Sequence, residues 1–258
     1  MPAIFFGHGS PMNAIEENLY SESWVEMVKK ISADENSAEK PRAILVISAH
    51  YETNGTKVTS NQQQKTIHDF YGFPPKLFAV KYEPPGDLKL AKRLQEILPE
   101  VELDDSWGVD HGAWSVLVHT HPAAEIPVTQ LSIDHNKTTQ QHYELAKKLR
   151  VLREEKILII GSGNIVHNLR MIDWHSKQAY PWAVEFNNSI VEAIEKNDHE
   201  TILNFVKISG AKNSVPTSEH FIPLLYVLAL QEKGEKVELF CNRMELGSIS
   251  MASVAVGV

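Results

Sequence analysis

Five histidines carry most of the chemistry open to this sequence. His8 stands in Gly7-His8-Gly9-Ser10-Pro11, and His50 closes the run Arg42 to His50 (RAILVISAH). His111 lies in Asp104 to Trp114 (DDSWGVDHGAW), His167 follows Lys156 to Gly161 (KILIIG), and His220 lies in PTSEHFIPLL (216–225). Each sits in, or just after, a small-residue or turn segment at the end of an apolar element. Imidazole suits Fe(II), Zn(II) and similar borderline divalent ions. Cys241 is the only cysteine and there is no H-E-x-x-H helix, so thiolate clusters and that zinc arrangement are excluded. Ligands supplied singly from several strand ends are what a catalytic site with open positions uses. Taken one at a time, a hydrogen-bonded structural histidine explains each residue; five at one face of a sheet are not explained by core packing.

The other candidates are weaker. His119 and His121 form an H-x-H pair, but residues two apart do not share a helix face, so they read as ordinary residues at a helix end. His68, His135, His142, His175 and His199 have polar surroundings and read mostly as surface residues or as supports behind a site. Gly161-Ser162-Gly163-Asn164 follows a strand as a dinucleotide fingerprint would. Val166 stands where its third glycine belongs, and no acidic residue ends a strand about 20 residues later. These glycines read instead as a tight turn bringing backbone close to a ligand. No G-x-S-x-G elbow is present, and Ser10 and Ser162 read as turn serines bonded to nearby backbone.

The elements that must position the histidines follow from periodicity. Ala43 to Ile47 is a run of five apolar residues, three of them β-branched, as in a strand buried on both faces. Ala3 to Phe6 and Lys156 to Gly161 repeat the design, and a histidine follows each of the three runs near its carboxyl end, where open α/β sheets place their binding crevice. Further strands are expected at Val128 to Ile133, Lys236 to Cys241 and Ser248 to Val256, the last two as an antiparallel pair. Short exposed strands are expected at Lys57 to Ser60 and Lys65 to Ile67. Helical spacing covers Glu22 to Ser32 with Ser21 or Ser23 as cap, Asp87 (as cap) to Leu98, and Ala113 to about His119, with Pro122 ending it nearby. It recurs at Thr138 to Leu152, Gln178 to Glu195, Glu200 to Val206 and Ser218 to Glu232. Asp34 to Lys40 is a polar loop, and Asp69 to Pro75 (DFYGFPP) is an aromatic, proline-bearing loop that reads either as a packed surface loop or as a wall of the active-site pocket. Strands alternate with helices and no linker, repeat or composition break interrupts them. The expectation is an α/β fold with a mostly parallel central sheet, helices on both faces, and a single domain over 1–258.

Composition narrows the partners. With 258 residues, 43% hydrophobic and 22% charged, the chain has ample material for a core. A net charge of -8 without a basic run argues against nucleic acid and anionic membranes as partners. No apolar run approaches the length of a membrane span and no secretory leader is legible, so a cytoplasmic protein is expected, as monomer or small homo-oligomer.

Six segments then carry a resemblance: GHGSPM (7–12), SAHYET (48–53), TIHDFYGFP (66–74), GVDHGAW (108–114), GSGNIVHNL (161–169) and PTSEHFIPLL (216–225). In this order, across almost the whole chain, they resemble the class III extradiol ring-cleavage dioxygenases, most nearly the 4,5-DOPA dioxygenase-like branch. The resemblance implies a single three-layer α/β/α domain. It implies His8, His50 and His220 as metal ligands, His167 as the acid/base histidine, and His111 as a contact to substrate or oxygen. In protocatechuate-type relatives the third ligand is a glutamate; here the segment reads Glu219-His220, and the DOPA-type pattern selects His220. A three-histidine shell would be less anionic and would also accept Zn(II) readily, beside the Fe(II) expected for activity. The implied reaction inserts O2 into a small aromatic diol such as L-DOPA, giving a ring-opened semialdehyde, with Phe70, Tyr71 and Phe73 as candidates to flank the ring. The rival readings are a zinc-dependent hydrolase on the same ligands and a non-catalytic metal-binding protein of the same fold.

Overall fold

The apolar runs assemble into one sheet in the computed structural model, which describes residues 1–33, 40–175 and 178–258. Its strands are β1 (Ala3–Gly7), β2 (Ala43–Ser48), β3 (Val128–Gln130), β4 (Ile157–Gly163), β5 (Val237–Phe240) and β6 (Ser253–Val256). Their spatial order is β3-β2-β4-β1-β6-β5. The first four run parallel, and β6 and β5 are added antiparallel, the pairing expected for the chain's last strands. Each residue of β1, β2 and β4 is buried, as continuous apolar runs require when both sheet faces are covered.

Alternation along these strands divides the core in two. Ala3, Phe5, Leu45, Ile47 and Ile159 face α2 (Leu88–Ile97), α4 (Thr139–Lys148), α5 (Pro181–Glu195) and α6 (Ile222–Ala229). Ile4, Phe6, Ile44, Val46 and Ile160 face α1 (Leu19–Ala33) and α3 (His111–Thr120). The sheet is therefore the middle of three layers. Register decides what this means for chemistry. Phe6 of β1 and Ser48 of β2 both lie level with Ser162 of β4. His8 and His50, each two residues further on, therefore leave the sheet side by side.

Several local expectations differ from the structure. Asn18 caps α1, its Oδ1 accepting from the N–H groups of Tyr20 and Ser21, so neither Ser21 nor Ser23 does so. The run 128–133 breaks after Gln130, and Ile133–Asp134 pairs instead with Glu52–Thr53. Lys57–Thr59 pairs with Glu102–Asp104 and buries Val58 and Thr59, whereas 65–67 contributes only the bridge Thr66 to Val109. The segment 248–256 is two short strands, Ile249–Ser250 and β6. α3 begins at His111, two residues earlier than its apolar spacing suggests, because Asp110 caps it by accepting from the Ala113 N–H. α4 stops at Lys148, and α6 begins only at Ile222, leaving His220 in the turn before it. Of the polar stretch Asp34 to Lys40, residues 34–39 lie outside the described residues. Among the described residues no helix is long and apolar enough to cross a membrane.

Gly161 and Gly163 correct a further expectation. They are strand residues of β4 rather than a turn. A Cβ at Gly163 would lie 2.1 Å from the His220 carbonyl oxygen, and one at Gly161 would lie 2.5 Å from that of Pro223. Their bareness lets the backbone entering α6 press onto the sheet, where Asn164 N–H donates to His220 O at 2.8 Å. Gly163→Ala is expected to cost about 1–3 kcal/mol through overpacking and to push His220 outward. Urea unfolding, with metal titration of the protein that still folds, checks both effects.

Candidate metal centre

β1, β2 and the turn before α6 bring His8, His50 and His220 together, with ligand atoms within 4.8 Å of one another. The far nitrogen of each ring decides which way its lone pair points. Ser162 Oγ donates to Gly112 O at 2.5 Å, so towards His8 Nδ1, 3.0 Å away, it acts as acceptor. That fixes the proton on Nδ1 of His8 and leaves its Nε2 with a lone pair. Asp69 Oδ2 faces His50 Nδ1 at 3.1 Å, and Glu219 Oε1 faces His220 Nδ1 at 3.0 Å, with the same consequence. The Nε2 atoms of His8 and His50 then stand 3.3 Å apart, and Nε2 of His220 is buried without a hydrogen-bond partner.

These residues fit a divalent ion. Two nitrogens each about 2.1 Å from one metal, at angles between octahedral and tetrahedral, stand about 3.0–3.4 Å apart. Burial, reinforced by the neighbouring imidazoles, lowers the pKa of His8 and His220 well below the usual histidine value, so both are neutral donors. Two other groupings come equally close: His50 with Asp69 and His111, and His167 with Glu219 and His220. In each of these the carboxylate already faces Nδ1 of His50 or His220, so it stands as an acceptor behind that ring. The His8, His50 and His220 set is the one whose free lone pairs face a common point.

The remaining predicted residues surround that point. His111 opens α3, its ring 3.8 Å centroid to centroid from that of His50 and its backbone N–H donating to Asp69 Oδ1 at 3.0 Å. His167 lies flat on His220, with centroids 3.4 Å apart and an 8° interplanar angle. Burial, with smaller contributions from His50 and His111, lowers its pKa to about 3. Phe70 meets His111 edge-on at 5.5 Å and Phe73 packs on Phe70 at 5.4 Å. Tyr71 does not join them: its side chain is 91% exposed, just before Gly72, whose φ of +80° turns the loop.

Sequence reasoning passed over Asp69 and Ser162 as functional residues. Asp69 was visible only as the start of an aromatic loop. It spans His50 and His111, with Oδ1 2.9 Å from His111 Nδ1. Burial pushes its carboxyl up, but the N–H groups of His111 and His50 outweigh this and hold it well below the usual range. Ser162 is a strand residue holding His8, whereas Ser10 does bond nearby backbone, accepting from the Met12 N–H. Gly112 is bare for a related reason, since a Cβ there would lie 2.8 Å from the His50 ring. Of the histidines read as polar, His142 is fully buried, with Nδ1 3.1 Å from the Tyr226 hydroxyl, while His135 and His175 are exposed. His119 and His121 end α3 away from the centre: His119 Nε2 meets Asn13 O at 2.7 Å, and the His121 ring meets the Thr120 hydroxyl.

Comparison with known proteins adds an independent line. Residues 2–256 match the family described as "Catalytic LigB subunit of aromatic ring-opening dioxygenase". The chain is 43% identical over 264 residues to "4,5-DOPA dioxygenase extradiol" of Escherichia coli (strain K12), covering 100% of this chain and 95% of that protein. It is 36% identical over 260 residues to the protein of the same name from Beta vulgaris, covering 97% and 94%. The crystal structure of an uncharacterized protein from Escherichia coli K12 superposes with a TM-score of 0.85 at 40% identity, covering 100% of both chains.

The buried neutral histidines set the acid stability of the metal-free protein. Burial lowers the pKa of His8 and His220, and takes His167 to about 3 and His121 and His142 to about 4. In the unfolded chain all five take up a proton near pH 6.5. Unfolding therefore binds protons below that pH, and stability falls as pH drops through 6.5 towards those folded values. Each histidine contributes a slope of about 1.4 kcal/mol per pH unit. Urea unfolding of chelator-treated protein between pH 7.5 and 5 should show a slope of several protons; a slope of one proton or less contradicts it.

Proposed function

This chain belongs to the LigB family of aromatic ring-opening dioxygenases, and from that premise we propose that it opens a catechol ring beside the diol at the centre formed by His8, His50 and His220. The observation that carries this reading is the convergence of three imidazole Nε2 atoms, each ring faced from behind by Ser162, Asp69 or Glu219. Fe(II) is the ion we assign for activity; bound there, it would supply the electron transfer between a chelated diol and dioxygen that side chains lack. The substrate is a small catechol of the L-DOPA class, in keeping with the names of the relatives from Escherichia coli and Beta vulgaris. Both oxygen atoms of O2 end in the semialdehyde product, so no external reductant is required. The whole chain 1–258 acts as one catalytic domain.

His167 handles the proton. Burial keeps its ring neutral, so an imidazole nitrogen is available to take the first proton of an incoming diol. The anionic oxygen then left beside it raises the pKa of the new imidazolium, which keeps the proton until a leaving oxygen needs it. His111, fixed at the start of α3, faces the substrate side of the same space, with Phe70 and Phe73 as the apolar wall behind it. Tyr71 is left out of this wall because its ring stands in solvent.

Anaerobic reconstitution with Fe(II), followed by oxygen uptake with L-DOPA, caffeate or protocatechuate, tests the reading; a yellow semialdehyde with consumption of one O2 per catechol is expected. Ester or amide turnover with zinc alone, and none of catechol, would favour a hydrolase. His50→Ala should abolish stoichiometric metal binding. His167→Ala should keep the ion and lose about 10²–10⁴-fold in kcat. Loss of the ion in that variant would instead make His167 a ligand.

A further inference from the structure

We propose that Asp69 is a positioning residue that ties the substrate-facing His111 to the metal-facing His50, so that one carboxylate sets the geometry of both. The inference rests on the reading of His8, His50 and His220 as the ligand set. Ser162 and Glu219 each hold one ring of that set. Asp69 differs, because its two oxygens are divided between two histidines of different duty. Oδ2 stands 3.1 Å from His50 Nδ1; Oδ1 accepts the His111 backbone N–H at 3.0 Å and lies 2.9 Å from His111 Nδ1 without a hydrogen bond to that ring nitrogen, so the helix start is what it holds. The first start of α3 is thereby fixed by a residue 42 positions upstream in the chain.

A carboxylate can act this way only if its own backbone is held. The preceding residues are pinned by Ile67 N–H to Val109 O at 2.8 Å, Trp114 Nε1 to Ile67 O at 2.8 Å, and the contact of His68 Nε2 with Val80 O at 3.0 Å. The following residue, Phe70, is wedged among His68, Phe78, His111 and Trp114. Trp114 belongs to α3, so the loop bearing Asp69 and the helix bearing His111 are packed as one piece. An ion on His50 Nε2 makes the Nδ1–H on the other side of that ring a stronger donor, which tightens its bond to Oδ2. A firmer carboxylate then holds His111 more closely through Oδ1. Coupling between two groups is reciprocal, so loss of the carboxylate should be felt on both sides.

The test uses the full-length protein and Co(II) as the probe ion, read by its visible absorption, with catechol turnover measured separately after Fe(II) loading. Asp69→Asn keeps the size of the side chain but accepts through only one oxygen. It should weaken Co(II) binding about 10–100-fold and alter the Co(II) spectrum. At saturating Fe(II) it should still lower kcat, because one oxygen cannot serve both His50 and His111. His111→Ala should lower kcat at saturating Fe(II), and adding Asp69→Asn to it should lower kcat little further. Unchanged Co(II) affinity in Asp69→Asn, or kcat losses that multiply in the double variant, would overturn the proposal. If Asp69→Asn does not fold, Asp69→Ser, with a single oxygen, is measured in its place against the same two outcomes. Wild-type protein that binds no Co(II) and opens no catechol would instead overturn the assignment of the ligand set.

Discussion

Imidazole lone pairs do not converge unless something holds the other side of each ring. A neutral histidine carries one N–H and one lone pair, and either nitrogen can hold either. Three Nε2 atoms facing a common point therefore need three acceptors at Nδ1. Ser162, Asp69 and Glu219 are those acceptors. Ser162 is the least obvious of them, since a hydroxyl can donate or accept. Its proton is committed to Gly112 O, which leaves it only the acceptor role towards His8.

The fold serves this constraint through register. In a parallel sheet neighbouring strands end at the same side, so residues just past their ends are near in space while far apart in sequence. Phe6, Ser48 and Ser162 lie level, and His8 and His50 follow at equal offsets. His220 comes from the turn before α6, which reaches the sheet only because Gly161 and Gly163 carry no side chain. Burial does the remaining work. It keeps His8, His167 and His220 neutral at the pH where an exposed histidine begins to charge. The same burial makes the folded chain vulnerable to acid, so the property that prepares the donors also limits the stability of the protein without its ion.

Much of this was legible in the sequence, for identifiable reasons. The runs at 3–6, 43–47 and 156–161 are apolar without alternation, which only a doubly covered strand tolerates, and a histidine follows each. Asp69 and Ser162 were not legible, because their roles are set by partners 19 or more positions away: His50 and His111 for Asp69, His8 and Gly112 for Ser162. Gly161 and Gly163 misled because a glycine making room for a helix looks in sequence like a glycine making a turn. Tyr71 misled because an aromatic loop does not reveal which ring points inward; Gly72 turns the chain just after it. His142 could have been read correctly. Its neighbours in the chain are polar, but Leu145 and Ala146, three and four positions on, are buried, and His142 shares their face.

The Glu219-His220 pair shows how the site divides charge from coordination. A carboxylate ligand would place its negative charge directly on the ion. Here the carboxylates of Glu219 and Asp69 stand one hydrogen bond further out, behind His220 and His50. Two such groups would balance the charge of a bound divalent ion while leaving its inner ligands neutral. A neutral inner shell would leave a bound ion more electrophilic than a carboxylate in the same position would. On the proposed function, a catechol arriving as an anion would meet no carboxylate among the inner ligands. With His220 rather than Glu219 as the proposed donor, negative charge would lie not in the coordination sphere but in the hydrogen bond that orients the ring, where it also fixes the tautomer on which the lone pair depends.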